Sequence, residues 1–142
     1  MPTRNASAEW KGGVKGQGSF RGKTGLSGQY SYSSRFENGA GSNPEELLAA
    51  AHASCFSMAF ANELNKAGKP AERITVNAVC HADRVNGSFT ILAMDLEVSG
   101  RVPNIDRKEF ERVAEVAKVG CPVSGALANN IEIRLKALHL ED

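Results

Sequence analysis

At 142 residues, 42% hydrophobic and 23% charged, the chain has the length of a single domain spanning 1–142 and enough apolar material for a core without a disulfide or metal, which excludes a wholly disordered protein. A formal charge of +1 argues against a general polyanion binder. Cysteines at 55, 80 and 121 form neither a CxxC motif nor an even framework, so a reducing cytoplasm is the expected compartment.

The amino terminus, MPTRNASAEW, has no apolar segment after its first basic residue and does not resemble a secretory signal. Residues 6–36 carry short apolar segments split by glycines at 12, 13, 16, 18, 22, 25 and 28, a spacing that predicts two or three antiparallel strands with tight turns. Between Trp10 and Phe36 lie Lys11, Lys15, Arg21, Lys23 and Arg35 and no acid. Interleaved with Phe20, Tyr30 and Tyr32, these bases read as a solvated sheet face, with a nucleic-acid surface as the weaker alternative.

ENGAGSNPEE ends the strands and starts a helix, with Asn43 as N-cap, Pro44 in the first helical position and Glu46 at the capping-box position. The helix should run to about Lys66, before Gly68 and Pro70. Leu47–Ala61 is apolar on nearly every face and must be covered all round. Interrupted by His52, Ser54 and Ser57, it is too short for a membrane span, which takes about 20 residues. ITVNAVCHADRV and FTILAMDLEVSGRV follow as long strands joined near Asn86-Gly87, a hairpin signal. Period two puts Ile74, Val76, Ala78 and Cys80 on one face and Thr75, Asn77 and His81 on the other, so Cys80 reads as packing and His81 as exposed. Asp106 and Glu109 cap a second helix through Phe110, Val113, Ala114 and Ala117 to Gly120. Cys121 and Pro122 then open a short helix, and IEIRLKALHL alternates as a terminal strand. The order βββ-α-ββ-α-β reads as α+β on antiparallel sheet.

Two thiols are candidates for chemistry. Cys121 is favoured by local physics, because unpaired N–H groups at a helix start stabilise a thiolate, although a cysteine before proline is also a common turn element. Cys55 lies about 12 positions into its helix, with no cation at helical spacing, and free cysteine usually packs as a small hydrophobe. His52, at i−3, can share its face, but a lone histidine on an apolar helix is more often a hydrogen-bonded core residue. The histidines at 52, 81 and 139 lack ligand spacing, so no metal site is expected.

NPEELLAAAHASCFSMAF together with the later GCPVS resembles the OsmC/Ohr family of organic hydroperoxide peroxidases, and the likeness extends through SSRFENGAGSNPEE, AGKP, the long hairpin and VPNID. The resemblance implies that Cys55 is the peroxidatic thiol, that Cys121 resolves it, and that Arg35 and Glu45 complete the site, with the guanidinium lowering the thiol pKa and Glu45 fixing its plane. Leu47, Leu48, Phe56, Met58 and Phe60 are available to line a site for an alkyl tail. No bound cofactor is implied; an external dithiol, a dihydrolipoyl group in the family, would reduce the Cys55–Cys121 disulfide. The Ohr branch carries its arginine in a Gly-Gly-Arg segment, whereas KGGVKG has Val14 there. That favours the OsmC branch with Arg35 as the cation and Arg21 as the alternative. The family's fold implies an intertwined homodimer around a long buried central helix. On one unbroken helix Glu45 and Cys55 would be roughly 15 Å apart along the axis and about 80° around it, so Glu45 is expected to serve a partner's Cys55. The reading from another class is a non-enzymatic redox sensor or binding domain on the same fold.

Overall fold

The computed structural model describes residues 2–142, which form two compact units, one ending at Leu47 and the other running Leu48–Asp142. In the first unit β1 (Ala6–Lys11), β2 (Gln17–Gly22) and β3 (Ser27–Ser31) form an antiparallel meander. Its aromatic side chains gather where glycine makes room: Trp10 and Phe20 lie 5.3 and 6.0 Å from Tyr30, centroid to centroid, and a Cβ at Gly28 would fall 2.5 Å from the Phe20 ring. Every residue of β1 is exposed.

Where the glycine-spaced strands were expected to continue to residue 36, a one-turn helix α1 (Tyr32–Phe36) begins instead. The cause is local. Ser31 Oγ accepts the Ser34 N–H at 3.0 Å while Ser34 Oγ accepts the Ser31 N–H at 2.8 Å, a reciprocal cap that satisfies two donors at once. Arg35, expected on a strand, is therefore helical.

Helix α2 (Pro44–Lys66) starts as predicted, with Asn43 Oδ1 accepting the Glu46 N–H at 2.8 Å. The Glu46 carboxylate accepts from Ser42 Oγ rather than closing a capping box. At the other end Gly68 takes φ +75°, Gly68 N–H donates to Asn65 O and Lys69 N–H to Leu64 O, a Schellman ending that glycine adopts without a Cβ penalty. No helix among the described residues is long and apolar enough to cross a membrane.

The second unit sets helices on one face of a sheet of β4 (Arg73–Val85), β5 (Ser88–Arg101) and β6 (Glu132–Leu140). Asn86 and Gly87 turn the hairpin with φ of 52° and 84°, the left-handed pair a type I′ turn requires. β6 joins β5 in parallel, because the connection through α3 (Arg107–Gly120) and α4 (Pro122–Leu127) carries the chain back across the sheet. Phe56, Phe60 and Leu64 of α2 and Phe110 of α3 are fully buried with Met94 and Leu96 of β5. Cys80 packs against this core half-buried, as its register predicts. His81 is on the opposite face, exposed, but its Nε2 lies 2.7 Å from Asp95. The all-round cover expected for α2 is not supplied by the described residues: Ala50, Ala51, Ser54 and Ala61 are exposed, and Met58 is 74% exposed.

Candidate active site

The residues singled out in the sequence fall into two pairs, one in each unit. In the first, Asn43 Nδ2 donates to Ser34 O and Ser34 Oγ to Ser42 O, tying α1 to the loop that opens α2. Arg35 Nε then donates to Glu45 Oε1 at 3.1 Å and Nη2 to Oε2 at 2.8 Å. This two-pronged geometry fixes the guanidinium plane. Glu45 is 9% exposed, and its hydrogen bonds raise the Arg35 pKa against the opposing effect of burial. Arg21 is on β2, facing Ser7 and Ser27 across the sheet. Val14 is 80% exposed.

In the second unit Cys55 is half-buried on α2 and Cys121, 1% exposed, is the N-cap of α4. The two thiols are hydrogen-bonded, and the backbone N–H of Val123 donates to Cys55. Burial pushes the Cys55 thiol above its ordinary pKa; the Val123 N–H opposes that, and Cys121 adds to it through its side-chain hydrogen bond first and then through charge repulsion between the sulfurs. Cys121 stands at the start of α4, where a thiolate is favoured locally, yet it makes no side-chain cap bond. Folding delivers an N–H of that helix to Cys55, a donor no sequence spacing could reveal.

Beside Cys55 lies an open cleft of about 340 Å³, lined along α2 by Met58, Ala59, Asn62 and Glu63 and across from them by Ala117 and Gly120. Of the side chains expected around an alkyl tail only Met58 lines this cleft; Phe56 and Phe60 are in the core and Leu48 packs against it. His52, fully buried, places Nε2 2.7 Å from Ser124 Oγ, while its Nδ1 has no hydrogen-bond partner. Burial lowers its pKa. Ser124 lies in the same GCPVS run as Cys121, and only its burial, at 3% exposure, distinguishes it from an ordinary helix-start serine. No group of three His, Cys, Asp or Glu side chains able to hold a metal occurs among the described residues.

Facing helices that bring two free thiols into contact over an antiparallel hairpin make this an α+β protein with a dithiol centre. The chain belongs to the OsmC-like protein family, whose model matches residues 37–136. That span contains Glu45, Cys55 and Cys121, and Arg35 stands two residues before it. The chain is 38% identical over 133 residues to the peroxiredoxin OsmC of Escherichia coli strain K12, covering 92% of this chain and 93% of the relative. It is 31% identical over 99 residues to the organic hydroperoxide resistance protein of Xanthomonas axonopodis pv. citri, covering 68% of this chain and 67% of that one. Among solved structures, an organic hydroperoxide resistance protein from Elizabethkingia anophelis, with thiocyanate bound, superposes with a TM-score of 0.76 at 26% identity, covering 100% of this chain and 97% of that one.

Proposed function

We propose that this chain is a cysteine-based peroxidase that reduces organic hydroperoxides, and hydrogen peroxide as a smaller substrate, through Cys55. The Cys55 thiolate attacks the distal oxygen of ROOH; the O–O bond breaks, the sulfur becomes a sulfenic acid, and the alkoxide leaves as alcohol after taking a proton. The Cys121 thiol then displaces hydroxide from that sulfur, forming the S–S bond and releasing water, and an external dithiol restores both thiols by exchange. A dihydrolipoyl group, free or on a carrier protein, is the dithiol this reading names. The observation that carries it is the contact of Cys55 with both Cys121 and the Val123 N–H.

Burial raises the Cys55 pKa, so an efficient thiolate needs a cation, and Arg35 is the one this reading assigns. Its two-pronged bond to Glu45 argues that the pair acts as one piece. Ten residues of α2 separate Glu45 from Cys55, a longer reach than a glutamate–arginine bridge spans without strain. The reading is therefore a homodimer in which Cys55 and Cys121 come from one chain and Arg35 and Glu45 together from the other. The uncovered stripe of α2 at Ala50, Ser54, Met58 and Ala61 and the exposed β1 both favour a second copy. The cytoplasm, with no membrane or nucleic-acid partner, suits three free thiols.

The test is a peroxidase assay with a dithiol donor, comparing an alkyl hydroperoxide with hydrogen peroxide on wild type and Cys55→Ser. Many turnovers by wild type and none by the variant support the reading. A single stoichiometric oxidation that stops would make the protein a sensor.

A further inference from the structure

Helices α2 and α4 meet at two levels. At one, Cys55 faces Cys121 and the Val123 N–H. At the other, three residues back along α2 and three forward from Cys121, His52 faces Ser124 at 2.7 Å. Because the numbers run in opposite senses, the two contacts are rungs of one ladder, roughly 4.5 Å apart along α2.

The chemistry at the first rung depends on where α4 starts, and α4 has little of its own to hold it there. It is six residues long and its N-cap side chain makes no capping hydrogen bond to the helix, while a helix that short is not stable by its backbone bonds alone. Apart from the contacts at Cys55 itself, whose geometry is what has to be held, its polar tie to α2 is the His52–Ser124 bond, from a fully buried ring to a hydroxyl 3% exposed. That ring carries a cost, since a buried Nδ1 without a partner is a polar atom removed from water with nothing in exchange. Leucine at this position of an apolar helix would avoid the cost, so the bond to Ser124 is what the histidine contributes in exchange. Whichever ring nitrogen carries the hydrogen, Nε2 pairs with Ser124 Oγ, Nδ1 is left without a partner, and burial favours the neutral ring. An imidazolium there would bury an N–H on Nδ1 with no acceptor, which sets His52 apart from an acid or base that acts on substrate.

We propose that the His52–Ser124 hydrogen bond is a clasp that fixes the start of α4 against α2, so that His52 and Ser124 are positioning residues for both the Val123 N–H bond to Cys55 and the approach of Cys121. The clasp holds the helix at Ser124 while Cys121, at the non-helical cap position with ψ of 121°, remains able to close on Cys55. A disulfide brings the sulfurs to about 2.05 Å, so the cap must move while the turn after it stays.

The inference rests on Cys55 and Cys121 being a redox pair, and the experiment avoids peroxide so that the two ideas fail separately. Diamide takes two hydrogens from the thiol pair onto its N=N bond, leaving the disulfide. Its closure rate is followed by intact mass in wild type, Ser124→Ala, His52→Leu and His52→Gln, beside the pH profile of Cys55 alkylation by iodoacetamide, read at the Cys55 peptide. Ser124→Ala and His52→Leu are expected to close about tenfold more slowly, the loss that goes with one buried hydrogen bond, and to shift Cys55 alkylation to higher pH. His52→Gln, whose amide nitrogen can stand where Nε2 does, is expected to keep wild-type behaviour. A folded Ser124→Ala protein with unchanged closure and unchanged alkylation overturns the clasp, even if it melts earlier, and so does a His52→Gln no better than His52→Leu. Wild type that forms no Cys55–Cys121 disulfide with diamide would instead overturn the redox pair, leaving the alkylation profile to decide the clasp.

Discussion

Cys55 and Cys121 share a hydrogen bond but differ in surroundings, and the difference is in keeping with the roles proposed for them. Cys55 is half-buried beside an open cleft and receives a backbone N–H, whereas Cys121 is 1% exposed behind it. On the proposed reading a peroxide reaches the first sulfur and not the second. Cys55→Ser is therefore expected to abolish turnover, and Cys121→Ser to leave a Cys55 that oxidises once and then gains further oxygens. Intact mass after peroxide should record loss of two hydrogens in wild type and added oxygen in the Cys121 variant. The cation can be assigned in the same way. Arg35→Met should shift the pH profile of Cys55 alkylation upward by roughly one unit or more, the effect an opposed charge has on a neighbouring group. Arg21→Met should leave it in place, and the reverse pattern would move the cation to β2.

Among the elements, β5 carries the second unit, paired on both sides, and its Asp95 joins all three strands. Its carboxylate accepts from Arg134 Nε of β6 and lies 2.7 Å from His81 Nε2 of β4. These bonds, Arg134 first, hold the Asp95 pKa below its ordinary value against the effect of burial. A folded pKa depressed in this way contributes stability that is present above the unfolded value of about 3.9 and lost as pH falls through the folded value. Arg134→Met is thus expected to flatten the acid limb of the melting temperature against pH below about pH 4, with little change in that slope near neutrality. Later in the same strand Gly100 lies under Phe110, and an added Cβ would sit 2.8 Å from its ring. Phe110 is fully buried against Phe60, centroids 5.1 Å apart, and has no direction in which to yield. Gly100→Ala should cost about 1–3 kcal/mol by overpacking, measurable by urea titration.

At the scale of the whole molecule, mixed dimers test how the pairs are shared. If Arg35 and Glu45 travel together and serve the partner, heterodimers isolated from co-expressed Cys55→Ser and Glu45→Gln chains should regain about half the wild-type activity, since one of two sites is intact, roughly as independent sites add. Arg35→Met with Glu45→Gln should regain none, because each site then receives a pair broken at one member. Recovery in that second mixture would place Arg35 and Glu45 on different chains. No recovery in the first, with heterodimers confirmed, would mean that each site is built within one chain.

Much of this protein was legible before any fold was known, and the reason is the range over which each signal acts. Caps, the Asn86-Gly87 turn, the Gly68 stop and the alternation that buries the Cys80 side of β4 are decided within a few residues, so composition and spacing carry them. The two cysteine contexts and the Arg35–Glu45 segment were legible for another reason: their residues recur as a family pattern. Tertiary structure alone decided what depends on distant segments meeting. The docking of α1 on the loop that opens α2 hangs on the contacts of Ser34 with Ser42 and Asn43. The parallel entry of β6 follows from the path of two helices. The Val123 N–H reaches Cys55, and His52 reaches Ser124 across 72 residues of sequence, because packing against the Phe56–Phe60–Phe110 core lays α4 beside α2. A backbone donor has no side-chain signature, so its placement belongs to the fold.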